Sequence, residues 1–430
     1  MFTDPRSVLT QTFHKLRRTS RILWVRVALI TGLAVLAALS AELFEAVIPH
    51  GSTDRFSQSA TLPILTILAN GMLAVATFSL GVMVSSHRTL AEQSTPRIHR
   101  LLMEDTSTQS MLATFIGAFV FSLVAIILFN AGYYSDDAAV IVFAATVLVV
   151  GAVVVSLVRW ISQLTRIGSM EYALDRAENA ARETFEDMRS TPLLGGRSWA
   201  ADGAPAHSTG FDVPRSGFLS RVDMEALQEL AEQNDAEIYL AHQPGDRILS
   251  GEPLGWIVPA RADAEGDAKP DASAFVIANS RTVEQDPRFA LIILREAAAK
   301  ALSPGINDQG TAIEVIARLE RLLWDEARET EAPEPAYPRV YLPELSPEGF
   351  LIHAFRGIAR DGAAHGEVMI VLIDAVARLS RHAPFSDGDA GRIVLQDIHD
   401  FAMAGLATER EKDRVRAELE RVGFEPDPSP

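Results

Sequence analysis

Four long apolar segments near the start of the chain constrain its fold more than any other feature. They cover residues 22–48, 62–84, 111–133 and 138–161. A helix needs roughly 20 apolar residues to cross the hydrocarbon core of a bilayer, and each segment reaches that length. The sequence therefore predicts four transmembrane helices in a domain over residues 22–168, with the lipid bilayer as its partner.

Positive charge lies mainly on one side of these predicted spans. The loop between the first two spans has only Arg55, and the turn between the last two has no basic residue. The other basic residues of this part lie at the opposite ends of the spans: Arg6, Lys15, Arg17, Arg18, Arg21, Arg26, Arg88, Arg97, Arg100, Arg159 and Arg166. Because cytoplasmic loops are enriched in lysine and arginine, we predict a multi-pass inner-membrane protein with both termini in the cytoplasm.

The first apolar segment follows a basic arm over residues 1–21, as a secretory signal would. It is too long for the apolar core of a signal, and further spans follow it. We therefore interpret the first segment as an uncleaved transmembrane helix.

The two parts of the chain differ in charge. Residues 1–170 contain 12 basic and 9 acidic residues, a net charge of +3, whereas the remaining 260 contain 27 and 47, a net charge of −20. An acidic surface repels nucleic acid, so we predict a soluble cytosolic region with no nucleic-acid partner. The chain has no cysteine, which excludes disulfides, thiolate nucleophiles and cysteine metal sites.

Composition divides the acidic part into five segments. Apolar residues at helical spacing in 169–190 indicate a helix that continues the fourth span, whereas Gly, Pro and Ser in 191–217 indicate a flexible linker. We predict a small α+β module over 218–280, a mainly helical domain over 281–425 and a disordered tail over 426–430. The expected fold class is an α-helical integral membrane protein followed by cytosolic α+β and mainly α-helical regions.

Two groups of motifs resemble DUF2254, a bacterial family of predicted membrane proteins of unknown function. The first group lies around the link between the second and third spans: Gln93-Ser94-Thr95-Pro96-Arg97, Asp105, Gln109, Gly117, Phe119 and Phe121. The second lies in the acidic part: Pro244-Gly245-Asp246, Gln285-Asp286-Pro287 and Ala301-Leu302-Ser303-Pro304-Gly305-Ile306-Asn307-Asp308. Gln309 stands where the family usually has proline. The resemblance implies an integral membrane protein with a cytosolic domain, and it implies no activity.

The loop between the first two helices of the predicted helical domain is a candidate ligand site. Its residues of interest are Ser303, Pro304, Gly305, Asn307 and Asp308. One interpretation is a connector, in which proline and glycine stop one helix and Asp308 caps the next. The other is a ligand site at the helix N-terminus, with Asn307 donating and accepting hydrogen bonds. Because a capping aspartate already occupies the free amides, a cation or an amine-bearing metabolite is favoured over an anion.

A stripe of small and polar residues follows one side of the second predicted span. It consists of Thr66, Asn70, Thr77, Gly81 and Ser85. Such a stripe is typical of a helix-packing surface, as is the pair Ala113 and Gly117 on the third span. The alternative is an aqueous path between the subunits of a homo-oligomer, lined by Asn70. No charged residue lies deep in any predicted span, which argues against a proton-coupled transporter or a voltage sensor.

The sequence contains no recognisable catalytic or cofactor motif. It lacks a Gly-x-Ser-x-Gly elbow, a phosphate-binding loop and a His-Glu-x-x-His metal motif. We therefore predict no enzyme activity, no metal site and no cofactor. Two functional classes remain. One is an oligomeric channel or transport-related protein, and the other is a non-conducting, membrane-anchored sensory or interaction module. In either class the cytosolic domain would serve oligomerisation or the sensing of a small-molecule or ion ligand.

Overall fold

The computed structural model of the protein describes residues 23–40, 58–103, 106–164, 169–200, 203–213, 215–260, 269–326, 333–382, 384–386 and 388–427. Contacts between residues divide the chain into two compact units, Met1–Ala173 and Leu174–Pro430. The predicted basic arm (1–21), the end of the first predicted span (41–48) and the last residues of the predicted tail (428–430) lie outside the described residues.

Long apolar helices dominate the first unit. The helices are α1 (Leu23–Ser40), α2 (Gln58–Gln93), α3 (Pro96–Met103), α4 (Thr106–Asn130) and α5 (Asp136–Leu164). Three stretches are long and apolar enough to cross a membrane, namely Ala60–Ala91, Ser110–Asn130 and Ala138–Leu164. They confirm the long apolar helices predicted at the second, third and fourth spans.

The first predicted span is described only in part. Helix α1 has 18 residues, and its apolar stretch over the described residues, Val27–Ser40, is shorter than the other three. A bilayer crossing needs about 20 residues. The count of four spans therefore stays a prediction.

Helix α4 lies at the centre of the first unit, where it packs against α1, α2 and α5. Its side chains Ala113 and Phe115 are fully buried. A Cβ atom added at Gly117 would lie 2.7 Å from Cγ2 of Ile30 in α1, so a glycine is needed for this close approach. The predicted packing role of Ala113 and Gly117 is confirmed, because small residues let apolar helices approach closely.

Thr95 precedes and caps the short helix α3, and it belongs to the motif that resembles the family. Its hydroxyl oxygen accepts a hydrogen bond from the backbone N–H of Ile98, at 3.3 Å. Pro96 is the first residue of α3, a position where proline costs nothing because its missing N–H would have no helical partner. The apolar side of α3 then buries Ile98 and Leu102.

Helix α6 (Met170–Ser190) is a separate helix rather than a continuation of the fourth span. Helix α5 ends at Leu164, and Ser169 is not helical. The hydroxyl of Ser169 accepts a hydrogen bond from the backbone N–H of Tyr172 at 3.2 Å, as a capping side chain does. The predicted continuation is therefore wrong at Ser169, and residues 165–168 lie outside the described residues.

The described residues of the second unit form two sheets. The strands are β1 (Arg197–Trp199), β2 (Thr209–Asp212), β3 (Gly217–Val222), β4 (Ala236–Leu240), β5 (Arg247–Ile248), β6 (Pro253–Pro259), β7 (Phe275–Ala278) and β8 (Val340–Pro343), with helix α7 (Met224–Gln233) before β4. One sheet has the order β1-β8-β4-β6-β2 and the other β5-β3-β7. Strand β8 is parallel to both of its neighbours, whereas the other pairs are antiparallel. A shared core of buried apolar residues includes Leu219, Leu227 and Ile238.

The prediction of a flexible linker over 191–217 is wrong, because this segment forms strands β1 and β2. Each strand makes specific contacts with the rest of the unit. The indole N–H of Trp199 donates to the carbonyl of Leu240 at 2.8 Å, and Phe211 is 5% exposed in the core. The predicted α+β module over 218–280 is also incomplete, since β8 comes from the domain predicted to be mainly helical.

The remaining helices agree with the predicted helical region. They are α8 (Pro287–Ala301), α9 (Gln309–Glu326), α10 (Pro347–Leu351), α11 (Gly357–Asp361), α12 (Gly366–Leu379), α13 (Ala390–Gly405) and α14 (Glu409–Arg421), with a π-helical turn, Ile352–Arg356, joining α10 to α11. Asp286 caps α8 and Pro287 is its first residue, a pair of residues that is typical of a helix start. In the predicted tail, Asp427 accepts a hydrogen bond from Arg392 of α13 at 2.5 Å.

Glu178 connects α6 to α9 through a network of arginines. Its side chain is 9% exposed and lies 2.8 Å from Arg318 and 2.8 Å from Arg321, both on α9. Arg182, one turn along α6, approaches it at 3.2 Å. Burial raises the pKa of Glu178, but hydrogen bonds and charges from Arg321 and Arg318 outweigh burial and hold it below its usual value. Glu178 therefore remains ionised at neutral pH.

Candidate functional site

The predicted loop between α8 and α9 is a capped connector. The amide of Asn307 donates to the carbonyl of Ser303 at 2.9 Å, and the amide of Asp308 donates to that of Ala301 at 2.8 Å. Asn307 adopts a φ of +53°, a conformation that asparagine tolerates better than most residues. Pro304, Gly305 and the other residues up to Asp308 are exposed.

Asp308 caps α9, as predicted. Its Oδ1 accepts from the backbone N–H of Thr311 at 3.0 Å, and its Oδ2 accepts from the hydroxyl of Thr311 at 2.6 Å. These hydrogen bonds hold the pKa of Asp308 below its usual value. The connector interpretation therefore accounts for both carboxylate oxygens, and the predicted ligand role of the loop stays a prediction.

A polar cleft of about 270 Å³ lies directly after this loop. It is bordered by the starts of α9, α12 and α14, and its lining residues are Gln309, Ala364, His365, Gly366, Glu367, Ile370, Glu411 and Arg414. Its charged residues come from helices that are far apart in the sequence, so spacing along the chain does not reveal them. Only Gln309 lies beside a motif that the sequence singles out.

The predicted stripe on α2 faces away from the rest of the first unit. Thr66, Asn70, Thr77, Gly81 and Ser85 are all exposed. The side of α2 that is buried within the chain carries Leu65, Leu68 and Met72 instead. The hydroxyls of Thr66 and Thr77 donate to carbonyls of their own helix, at 2.8 and 3.0 Å. The stripe is therefore not a packing surface between the described helices of one chain.

Asp286 brings together two of the motifs that resemble the family. Arg281 makes two hydrogen bonds to its carboxylate, at 2.7 and 2.8 Å, and the amide of Phe289 donates to Oδ1 at 3.1 Å. The turn Pro244-Gly245-Asp246 lies against the same carboxylate. Arg288 fastens this turn by donating to the carbonyl of Pro244 and to Asp246, both at 2.9 Å.

The sequence analysis did not identify the arginines that surround Asp286 and His353. Burial, and then the charges of Arg288, Arg281 and Arg295, hold the pKa of His353 below its usual value. His353 lies in the π-helical turn. Because its pKa is lowered, its imidazole is neutral at physiological pH. Arg288 and Arg295 lie seven residues apart, two turns along one side of α8, which is the signal that could have revealed them.

The chain matches, over residues 20–378, the family described as "Predicted membrane protein (DUF2254)". It is 24% identical over 339 residues to the uncharacterised protein Rv1290c of Mycobacterium tuberculosis and to the uncharacterised protein Mb1321c of Mycobacterium bovis. Each alignment covers 74% of this chain and 63% of the relative, so the chain spans less than two thirds of their length. No solved structure matches the chain.

Gly245→Ala tests the junction at Asp286. Gly245 has a φ of +93°, and an added Cβ would lie 2.0 Å from Oδ2 of Asp286. The substitution must displace a buried carboxylate from its partners, so we expect it to lower the free energy of unfolding by about 3 kcal/mol more than its control. Urea denaturation of the full-length protein in detergent micelles, followed by tryptophan fluorescence, measures the loss.

Gly251→Ala is the matched control. Gly251 has a φ of +86°, but nothing lies within 4 Å of an added Cβ. Both variants incur the backbone strain of a left-handed residue, roughly 1–2 kcal/mol, and only the first disturbs Asp286. Equal losses in the two variants would show that Asp286 is not held by close packing against the turn.

Proposed function

The chain belongs to the DUF2254 family of predicted membrane proteins, and on that premise we propose that it is a self-associating, non-conducting inner-membrane protein. In this proposal four spans anchor the acidic second unit on the cytoplasmic side. The three long apolar helices support membrane insertion, and the distribution of basic residues supports the orientation.

The outward stripe on α2 is the observation that carries self-association. Lipid provides no hydrophobic drive between helices, so contacts in a membrane depend on close backbone approach and hydrogen bonds. Gly81 permits the close approach of another helix, because no atom of the chain lies within 4 Å of a Cβ added there. Asn70 can supply a hydrogen bond, because its side chain makes none within the described residues. A second copy of α2 would bury the stripe and give the Asn70 amide a partner.

Cysteine cross-linking tests this contact, because the chain has no cysteine of its own. We expect Asn70→Cys and Thr77→Cys to form disulfide-linked dimers in oxidised membranes, since both lie on the stripe. Phe78→Cys and Leu80→Cys are the controls. Both residues are exposed, but they lie roughly 60–100° around the helix from Asn70 and Thr77, at 3.6 residues per turn. Equal cross-linking at all four positions would contradict the proposed contact.

Labelling of single cysteines tests the proposed orientation. We expect a membrane-impermeant maleimide to label Ser52→Cys, between the first two predicted spans, in intact spheroplasts. Ser250→Cys, an exposed position of the second unit, should react only after lysis, because that unit faces the cytoplasm in the proposal. Labelling of Ser250→Cys in intact spheroplasts would place the second unit outside and reverse the orientation.

Flux measurements distinguish the proposed module from a channel. An ion path needs a series of polar or charged groups along its length to replace water around the ion. Asn70 supplies one amide, and the hydroxyls of Thr66 and Thr77 donate to carbonyls of their own helix. We therefore expect liposomes with the purified protein to pass sodium, potassium, chloride and protons no faster than empty liposomes. A flux that disappears in Asn70→Leu would instead identify the stripe as the lining of a path between subunits.

A further inference from the structure

The polar cleft at the starts of α9, α12 and α14 holds opposite charges that do not meet. Glu367 lies on α12 and Arg414 on α14, and both line the cleft. Neither side chain has an ion pair within the part of the chain that the structure describes. The cleft therefore separates an exposed carboxylate from an exposed guanidinium.

The neighbours of Arg414 on α14 differ from it in this respect. Lys412 lies 2.9 Å from Glu409, and Arg416 lies 2.6 Å from Asp413. Glu411, one turn before Arg414, uses one carboxylate oxygen to accept from the hydroxyl of Thr408, at 2.8 Å. Lys412 and Arg416 thus have partners on their own helix, whereas Glu367 and Arg414 at the border of the cleft have none within the described residues.

Two further side chains that can form hydrogen bonds complete the lining. Gln309 contributes a carboxamide from the start of α9, and His365 precedes α12 without capping it through its side chain. The cleft volume of about 270 Å³ lies just below the usual range for ligand pockets, roughly 300–1,000 Å³. Such a space suits a molecule of few heavy atoms.

We propose that this cleft binds a small zwitterion of amino-acid size. Glu367 and Glu411 face its ammonium group, Arg414 binds its carboxylate, and Gln309 fixes its orientation by hydrogen bonds. A ligand with both charges bridges α12 and α14 where the chain itself leaves a gap, and charge-assisted hydrogen bonds are the strong ones. The site goes beyond the proposed function, since binding in the cleft and self-association of α2 are separate properties.

A thermal-shift screen of the purified full-length protein tests the site. The probes are the twenty standard L-amino acids at millimolar concentration, and calorimetry then gives the dissociation constant of the best binder. We expect at least one to raise the melting temperature. We also expect the matching amine without a carboxyl group, and the matching acid without an amino group, to bind at least roughly tenfold more weakly, a difference of 1.4 kcal/mol.

Variants of exposed residues locate the binding. We expect Arg414→Ala and Glu367→Gln each to raise the dissociation constant roughly tenfold or more. Arg410→Ala removes an exposed arginine of the same helix that does not line the cleft, and it should bind as the unchanged protein does. No shift with any amino acid, equal binding of the amine alone, or an unchanged constant in Arg414→Ala would each overturn the proposal.

Discussion

The carboxylate of Asp286 is the contact on which the second unit depends most. It is 1% exposed, and a buried charge costs several kcal/mol unless hydrogen bonds and an opposite charge compensate for it. Arg281 supplies the charge, and the amide of Phe289 links the same group to the start of α8. The turn at Gly245 also lies against this carboxylate. The side chain of Asp286 therefore fixes the start of α8 relative to the turn between β4 and β5, more than thirty residues earlier in the sequence. The lack of a side chain at Gly245 is therefore a condition for the junction.

Glu178 connects α6 to α9 by the same kind of interaction, since arginines surround its buried carboxylate. The first unit is held together by a different interaction. No charged residue lies deep in its predicted spans, and α1 and α4 depend on the close approach of Ile30 to Gly117. The contrast follows from the surroundings, because apolar burial drives folding in water, whereas in lipid only packing and hydrogen bonds distinguish a helix contact from a lipid contact.

Sequence patterns predicted what depends on neighbouring residues. The apolar lengths of α2, α4 and α5 and the cap at Asp286-Pro287 are local properties, and the structure agrees with them. The strands β1, β2 and β8 were missed because they are three or four residues long and pair with segments distant in the sequence. The cleft was missed for the same reason, since Glu367 and Arg414 belong to different helices. The stripe was found by its spacing, but spacing alone does not decide whether a stripe faces its own chain or another.

The two proposed sites share one property. The buried carboxylates of Asp286 and Glu178 have partners within the chain. The Asn70 amide on α2 and the charges of Glu367 and Arg414 lack such partners in the described residues. In lipid an unpaired amide is costly, so it favours a partner helix. In water an unpaired charge costs little, so a charged cleft can remain open until a ligand of matching charge enters it. In both proposals the second molecule supplies a partner that the described residues of the chain do not.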